Sequence, residues 1–222
     1  IILLSYNFQE TLAITPGKYL LKPSFFRGFS DLKQAFSLPH LRQLFLVSMF
    51  FALGFNFFTQ FFQVFLVEKF NFSHADIGNF FGFVGLWIVF TQGVLIRKIS
   101  AHFSPKNTLT FTLPGLTIAV LAYLIPDRAV FLFFIAPFFS ILQGLSMPNI
   151  NALISNIAQP EEQGRILGIN QSLQSVSMTL PPILAGIAFS YNINLPIIFS
   201  SILIFIAWLT LVSLSKPQTE NV

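Results

Sequence analysis

The chain has 222 residues, of which 54% are hydrophobic and 9% are charged, and it carries a formal net charge of +4. Its mean hydropathy is +0.74. A soluble domain of this length needs far more charge on its surface, so the composition excludes a water-soluble globular protein and predicts an all-α integral membrane protein. The small basic excess is divided unevenly among the loops, which indicates membrane orientation and not nucleic-acid binding.

Several kinds of chemistry lack the residues that they need. The chain has no Cys, which excludes disulfides, cysteine-ligated metals and thiol chemistry. His40, His74 and His102 fall in three separate predicted loops, so no metal site is expected. Glu161 and Glu162 are adjacent in a turn before a helix, which is typical of a solvated cap and not of a catalytic pair. With no phosphate-binding glycine loop and no convergent acid, base or nucleophile, we predict no enzyme, no ATP use and no cofactor.

The first 43 residues precede the long apolar segments. Residues 1–12 are predicted to be the end of a preceding transmembrane helix, and because the chain begins with Ile it is expected to be part of a longer protein. Residues 13–43 are predicted to form a cytoplasmic linker with an amphipathic helix, which either lies on the membrane surface or packs against cytoplasmic loops. The apolar residues of that helix repeat at helical spacing: Phe25, Phe29, Leu32 and Phe36.

Six segments without a charged residue or His then follow at short intervals. They are Leu44–Val67, Ile77–Ile96, Leu109–Ile125, Val130–Leu153, Ile166–Phe189 and Leu195–Leu214. A spanning helix needs roughly 17–25 residues, which each segment provides, although the third is the shortest and contains Pro114. Residues 44–214 are therefore predicted to form a bundle of six transmembrane helices, and residues 215–222 a cytoplasmic tail.

The distribution of Lys and Arg predicts the orientation of the bundle. If the segment before Leu44 is cytoplasmic, only Lys69 and Arg128 lie outside. All other basic residues then lie inside: Lys18, Lys22, Arg27, Lys33, Arg42, Arg97, Lys98, Lys106, Arg165 and Lys216. The positive-inside rule accordingly predicts that both ends are cytoplasmic.

Amide side chains inside the spans are costly in hydrocarbon unless they are paired or hydrated. The first span carries Asn56, Gln60 and Gln63 on one narrow face, flanked by Phe57, Phe58, Phe61 and Phe62. This pattern is typical of a cavity wall, although the same amides could bond neighbouring helices. The third and sixth spans have no Asn or Gln and are expected to face lipid on most sides, as are most of the other Phe residues.

The fifth span follows a charged turn, Gln159–Arg165, and has two contrasting faces. One face carries small residues that allow close helix approach, namely Gly164, Gly168, Ser172 and Ser175. The other face needs polar partners or a hydrated cavity, since it carries Asn170, Gln174 and Ser177.

Three stretches resemble motifs of one transporter family. Gln9-Glu10-Thr11-Leu12 is similar to a Pro-Glu-Thr-Leu that closes the sixth helix in that family. Gly93, Arg97-Lys98 and Pro105-Lys106 resemble its Gly…Asp-Arg…Gly-Arg-Lys loop, here without the Asp and the second Gly. Gln163-Gly164, Gly168, Ser172, Pro181-Pro182 and Gly186 resemble its eleventh helix. In this order the motifs resemble the C-terminal half of a major facilitator superfamily transporter of the drug-exporter and tetracycline-exporter type.

The resemblance implies that the six spans are helices seven to twelve of that fold. The seventh and tenth would line a central cavity, the eighth and eleventh would meet the other half, and the ninth and twelfth would lie outside. The residues expected on the substrate path are Asn56, Phe57, Gln60, Phe61, Gln63, Gln143 and Gln174. Those expected at the interface between the halves or in gating are Arg97, Lys98, Gln163, Gly164, Gly168, Ser172, Pro181, Pro182 and Gly186.

The implied function is secondary active transport by alternating access, as a proton-coupled antiporter that exports small lipophilic or neutral organic compounds. Since the spans carry no charge, a proton-coupling carboxylate would have to lie in the missing N-terminal six-helix half. The expected partners are therefore that half, a small-molecule substrate and the lipid bilayer of a bacterial inner membrane. The alternative is a non-transporting membrane module that self-associates or binds another membrane protein.

Overall fold

The computed structural model describes residues 39–158 and 162–214. Within these ranges the ordered elements are all helical, which confirms the predicted fold class. They are α1 (Pro39–Phe70), α2 (His74–Phe90), a π-helical turn (Thr91–Leu95), α3 (Ile96–Ser100), α4 (Pro105–Ala122), α5 (Val130–Ser155), α6 (Gln163–Tyr191) and α7 (Leu195–Val212). The predicted preceding helix, surface helix and C-terminal tail, and the turn residues 159–161, lie outside the described residues.

Because α2, the π turn and α3 follow one another without a break, the described chain forms six rods that match the six predicted segments. Four rods are long and apolar enough to cross a membrane: Leu41–Phe70, His74–Ser100, Val130–Ser155 and Leu195–Val212. The other two helices, α4 and α6, do not meet these criteria of length and hydropathy within the described residues. α4 begins with a polar turn after Pro105, and α6 carries amides, serines and a Pro pair.

Helix ends are set by local sequence signals. Asn71 takes a left-handed conformation (φ 54°) directly after α1. Ser73 then caps α2, because its Oγ accepts from the Asp76 amide while the Asp76 carboxylate accepts from the Ser73 amide. Ser104 caps α4 in the same way through the Asn107 amide, with Pro105 in the first helical turn. These polar caps keep the turns short, so consecutive helices run antiparallel.

The centre of the fold is α1, which packs along α6 and α7, while α4 packs against α5 and α7 and α2 packs on α5. Three glycines allow these close approaches. A Cβ at Gly54 of α1 would lie 2.8 Å from the Ser200 carbonyl of α7, and one at Gly144 of α5 would lie 3.0 Å from the Thr91 Cγ2. A Cβ at Gly115 of α4 would lie 3.2 Å from both Leu142 methyl groups of α5. A side chain at Gly54 would meet backbone and force α1 and α7 apart, whereas at Gly115 and Gly144 the side chains of Leu142 and Thr91 would have to shift.

An aromatic cluster fills the core between α1, α2, α4 and α5. Phe62 lies 4.5 Å from Phe58 and 4.7 Å from Tyr123, measured between ring centroids. Phe58 also lies 4.7 Å from Phe139, and Phe80 lies 5.7 Å from Phe62. Phe58 and Phe62, expected beside the first-span amides, pack inside the bundle. The expectation that most other Phe residues meet lipid is wrong for Phe80 and Phe139, which gain ring packing there.

The expectation that the two amide-free helices face lipid on most sides is also wrong in this structure. Both α4 and α7 bury a full stripe of residues against their neighbours, including Leu113 and Ile204, and expose a single apolar face. In α2 only Phe80 and Val84 are buried. A helix that lacks Asn and Gln is therefore not necessarily exposed to lipid, because Leu, Ile and Thr pack inside an apolar bundle as well as they face lipid.

Candidate functional site

The predicted polar face of α1 is partly open to the surface. Gln60 and Gln63 are exposed, Asn56 and Phe61 are half-buried, and Phe57 is buried. The Nδ2 of Asn56 donates to the Ala52 carbonyl of its own helix at 2.7 Å. The structure therefore brings the two exposed glutamines together on one face and turns Phe57 into the bundle.

Gln60 contacts α6 through the main chain. Its Nε2 lies 3.3 Å from the Met178 carbonyl oxygen, in an exposed setting. Met178 and Pro182 are exposed on the same side of α6, while Pro181 is buried. This contact links a predicted path residue on α1 with the α6 carbonyl that lies four residues before Pro182.

The amide face of α6 is buried between α5 and α1. Asn170 is 2% exposed and its Nδ2 donates to the Asn151 Oδ1 of α5 at 2.9 Å. Gln174 is 6% exposed and its Nε2 lies 3.4 Å from the Ser48 Oγ of α1. Ser177 is fully buried, and its Oγ lies 3.5 Å from the Met49 carbonyl of α1. Polar partners therefore meet part of this face, while the Asn170 Oδ1 is buried without a hydrogen-bond partner among the described residues. Gln174 lies inside the bundle instead of on its surface.

Gln143 of α5 is half-buried, and its Oε1 is buried without a hydrogen-bond partner among the residues that the structure describes. Ser140, one turn earlier on α5, is fully buried and its Oγ is also unpartnered within the same residues. Two unsatisfied polar atoms near the middle of α5 mark a place where a bound water or ligand group would be favourable.

The small-residue face of α6 is open in the described chain. Gly164, Gly168 and Ser172 are exposed, and a Cβ added at either glycine would meet no atom within 4 Å. The Ser172 Oγ donates to the Gly168 carbonyl at 3.0 Å, so it is satisfied within α6. A second open stripe lies on α2 and the π-helical turn after it, where a Cβ would also meet nothing within 4 Å at Gly78, Gly82, Gly85 and Gly93.

The other predicted interface residues lie at helix ends or in the upper part of α6. Arg97 and Lys98 are exposed on α3. Gln163 is half-buried, and its Nε2 lies 3.5 Å from the Ser155 carbonyl of α5. Gly186 lies in α6, in the stretch whose side chains are outside the description.

Within residues 39–158 and 162–214 no group of three or more His, Asp and Glu side chains is placed to hold a metal. A cavity of about 600 Å³ lies at the junction of α4 and α5, lined by Pro126, Asp127, Arg128 and Phe131 among others, and none of the predicted path residues lines it. The candidate site is therefore the exposed polar surface of α1 and α6 around Gln60 and Met178, and not this junction.

Sequence reasoning missed three parts of this arrangement. It did not single out the α2 glycine stripe, although Gly78, Gly82 and Gly85 are spaced for one helix face. It did not single out Ser140, which carries no signal in the sequence because Ser is common in membrane helices. It did not connect Gln60 with the Met178 carbonyl, although Pro182 four residues later indicates a carbonyl without a donor.

Comparisons with known proteins agree with this architecture. A family model described as Major Facilitator Superfamily matches residues 44–222. Solute carrier family 22 member 18 of Mus musculus is 25% identical over 193 residues, which cover 83% of this chain and 45% of that protein. Multidrug resistance protein 2 of Bacillus subtilis (strain 168) is 27% identical over 204 residues, which cover 90% of this chain and 50% of that protein.

Solved structures of the peptide transporter POT have the same fold. A mutant in complex with sulfate superposes with a TM-score of 0.64 at 15% identity, covering 77% of this chain and 36% of that one. The same transporter with alafosfalin gives a TM-score of 0.63 at 16% identity, covering 82% of this chain and 41% of that one. The chain spans about half the length of the curated relatives it matches. Because the family model matches most of its residues, the chain belongs to the major facilitator superfamily.

Proposed function

We propose that the chain is the C-terminal six-helix half of a secondary active transporter that exports small lipophilic or neutral organic compounds by proton-coupled alternating access. Family membership supports secondary transport, and the name of the Bacillus subtilis relative supports drug export. Membership of a transporter family and similarity to solved transporter structures support transport and not catalysis.

The observation that carries this proposal is the contrast between two sets of glycines. Those on α1, α4 and α5 are filled by neighbouring helices, at distances of 2.8–3.2 Å from an added Cβ. Those described on α2 and α6 face open space. Glycine in a membrane helix is useful where another backbone comes close. The open stripes on α2 and α6 are therefore surfaces for a second body, and α2 and α6 are the helices that, by the family resemblance, would meet the other half.

The substrate path proposed for this half runs along the exposed polar surface of α1 and α6. Gln60 and Gln63 are its donors and acceptors, with Phe61 as an apolar wall. Gln143 and Ser140 extend it at the level of α5, where their unpartnered oxygens would accept or donate to a passing polar group. Three further residues would pack behind the path-lining side chains and hold them in position, because their own side chains are turned into the bundle or bonded there. They are Asn56, Phe57 and Gln174.

The test is flux through the protein as the cell makes it. The protein is purified by a tag on its C-terminus, its mass is measured, and it is reconstituted in liposomes with an imposed proton gradient. We expect a chain about twice the present length that moves ethidium, tetraphenylphosphonium or tetracycline against its gradient, and loss of that flux when a protonophore collapses the gradient. A protein with the present length that self-associates and moves none of these compounds would favour the alternative, a non-transporting membrane module.

A further inference from the structure

Pro182 removes the donor that the Met178 carbonyl would have in a regular helix. In an α-helix each carbonyl accepts from the amide four residues later, and Pro has no amide hydrogen. Met178 and Pro182 stand in that relation within α6, as do Ser177 and Pro181. A carbonyl without a donor is expensive at membrane depth, so another group has to supply one.

Gln60 supplies a donor to Met178 from a different helix. The distance from its Nε2 to the Met178 oxygen is 3.3 Å, longer than the usual 2.9–3.0 Å of such a bond, so the contact is a weak one. The setting is also open: Gln60 is exposed, and Met178 is 55% exposed. By contrast, Gln174 on the buried side of α6 is 6% exposed and held by groups inside the bundle. The Gln60 contact is therefore accessible from outside the bundle and can be exchanged.

The chemistry around this contact is that of an acceptor site. The Met178 oxygen has a second lone pair, and the Gln60 amide contributes its own oxygen, Oε1. The predicted spans of α1 and α6 contain no Lys, Arg, Asp or Glu that could compete with these oxygens. Met178 also lies near the middle of α6, the depth at which interrupted helices offer freed carbonyls to ligands.

We propose that the Met178 carbonyl and Gln60 form a recognition site for a ligand group that donates hydrogen bonds, such as an amine or a hydroxyl. In the protein without ligand, the Gln60 Nε2 donates a hydrogen bond to the Met178 carbonyl. When the ligand binds, its N–H or O–H donates to this carbonyl instead of Gln60. The Gln60 oxygen then accepts a second hydrogen bond from the same group. This inference rests on the proposed function, because it places the contact on the substrate path.

The first test is a double-mutant cycle on thermal unfolding of the purified full-length protein. Gln60→Met removes the donor and keeps the volume, whereas Pro182→Ala restores the helix's own donor to Met178. We expect Gln60→Met to lower the Tm by roughly 2–4 °C in the natural background and to change it little beside Pro182→Ala. Gln63→Met, on the same exposed face, is the control and should behave alike in both backgrounds. Equal effects of Gln60→Met in both backgrounds would overturn the inferred contact.

The second test measures equilibrium binding of two lipophilic cations to the same variants. Ethidium carries amino groups that donate hydrogen bonds, and tetraphenylphosphonium has no such donor. Because Pro182→Ala gives the carbonyl a permanent partner, it should weaken ethidium binding about fivefold and leave tetraphenylphosphonium unchanged. Equal losses for both cations, or no loss for ethidium, would overturn ligand recognition at this carbonyl.

These outcomes separate the inference from the proposed function. If Gln60→Met lowers the Tm equally in both backgrounds and both cations still bind, the Gln60–Met178 site is refuted and the transporter proposal stands. If neither cation binds the natural protein, ligand recognition at the site is refuted along with lipophilic export, and the unfolding cycle still decides whether Gln60 compensates for Pro182.

Discussion

Tyr123 places a hydroxyl where no group in the described chain bonds it. The residue is fully buried among Phe58, Phe62, Phe80 and Phe139, and its OH has no hydrogen-bond partner within residues 39–158 and 162–214. Burying an unpaired hydroxyl costs about 1–3 kcal/mol. Tyr123→Phe should therefore leave the stability unchanged or raise it by about 1 kcal/mol, measured as Tm in detergent. Phe139→Leu, which removes ring packing from the same cluster, should lower it, and a drop for Tyr123→Phe would reveal a partner for the hydroxyl.

Lys69 joins α1 to the end of α4 through a carbonyl oxygen. Its Nζ donates to the Leu124 carbonyl beyond α4 at 2.9 Å and lies 5.3 Å and 5.4 Å from the ring centroids of Phe65 and Phe70. Lys69→Met should lower the free energy of unfolding by about 1–2 kcal/mol, through the lost hydrogen bond and cation–π contacts. Lys98→Met, at an exposed position on α3, is the control and should have almost no effect. Equal losses for the two variants would contradict the assigned role.

At this scale the sequence predicts which residues need partners but not which partners they find. Asn56 and Gln60 stand one turn apart on α1, yet the first bonds its own helix and the second bonds α6. The choice depends on where α6 approaches α1, and that approach is a property of the assembled bundle. Pro182 was the one local signal that could have identified the acceptor, because it removes a donor at a known spacing.

The exposed glycines of α2 and α6 lead to a prediction about these helices as interface elements. Gly168→Leu should leave insertion and folding of the described bundle intact, because its side chain enters open space and increases hydropathy. It should abolish turnover in the full-length protein, because the added side chain obstructs the proposed interface between the halves. The measurements are the amount and Tm of protein in the membrane and the initial rate of ethidium flux.

Gly144→Leu is the matched control for that variant. Its side chain would collide with Thr91, where an added Cβ already lies 3.0 Å from the Cγ2, so folded protein itself should be lost. Normal flux by Gly168→Leu would remove this face of α6 from the moving interface. Loss of folded protein to the same degree in both variants would show that Gly168 is packed and not open.

Helix positions were predictable because charge and hydropathy mark them directly. α5 and α7 begin at the residues where the apolar segments begin, Val130 and Leu195, and α1 begins earlier, at Pro39. The helix neighbours were not predictable from amide content. The first and fifth spans do carry amides and do pack together, but α4 and α7 pack equally closely through Thr, Leu and Ala. Residues that pack between helices and residues that face lipid are both apolar, so the sequence does not distinguish them.

At the scale of the whole molecule, the number of membrane crossings depends on whether α4 and α6 cross the membrane. Four helices satisfy length and hydropathy by themselves, while α4 and α6 do not. Both nevertheless pack lengthwise inside the bundle, α4 against α5 and α7, and α6 against α1. Some of their buried polar groups are bonded to neighbouring helices, as Thr112 is to Ser146 at 3.1 Å and Asn170 is to Asn151 at 2.9 Å, so these groups do not need water as a partner. We therefore propose that all six rods cross the membrane.

Two loops distinguish six crossings from four. If α4 and α6 both cross, the α4–α5 loop at Ala129 is outside and the α5–α6 turn at Asn156 is inside. If neither crosses, these two positions exchange sides, whereas Ser73 stays outside and Ser104 inside in both arrangements. Single cysteines at these positions can be read cleanly because the chain has no Cys of its own.

We expect Ala129→Cys to react with a membrane-impermeant maleimide added to intact cells, as Ser73→Cys does. Asn156→Cys should react only after the membrane is permeabilised, as Ser104→Cys does. The physical reason is that the lengthwise packing of α4 on α5 and of α6 on α1 leaves no room for either helix to lie along the membrane surface. It also keeps Arg97, Lys98, Lys106 and Arg165 on one side, in accord with the positive-inside rule. Labelling of Asn156→Cys from outside together with protection of Ala129→Cys would establish four crossings and remove the six-helix half.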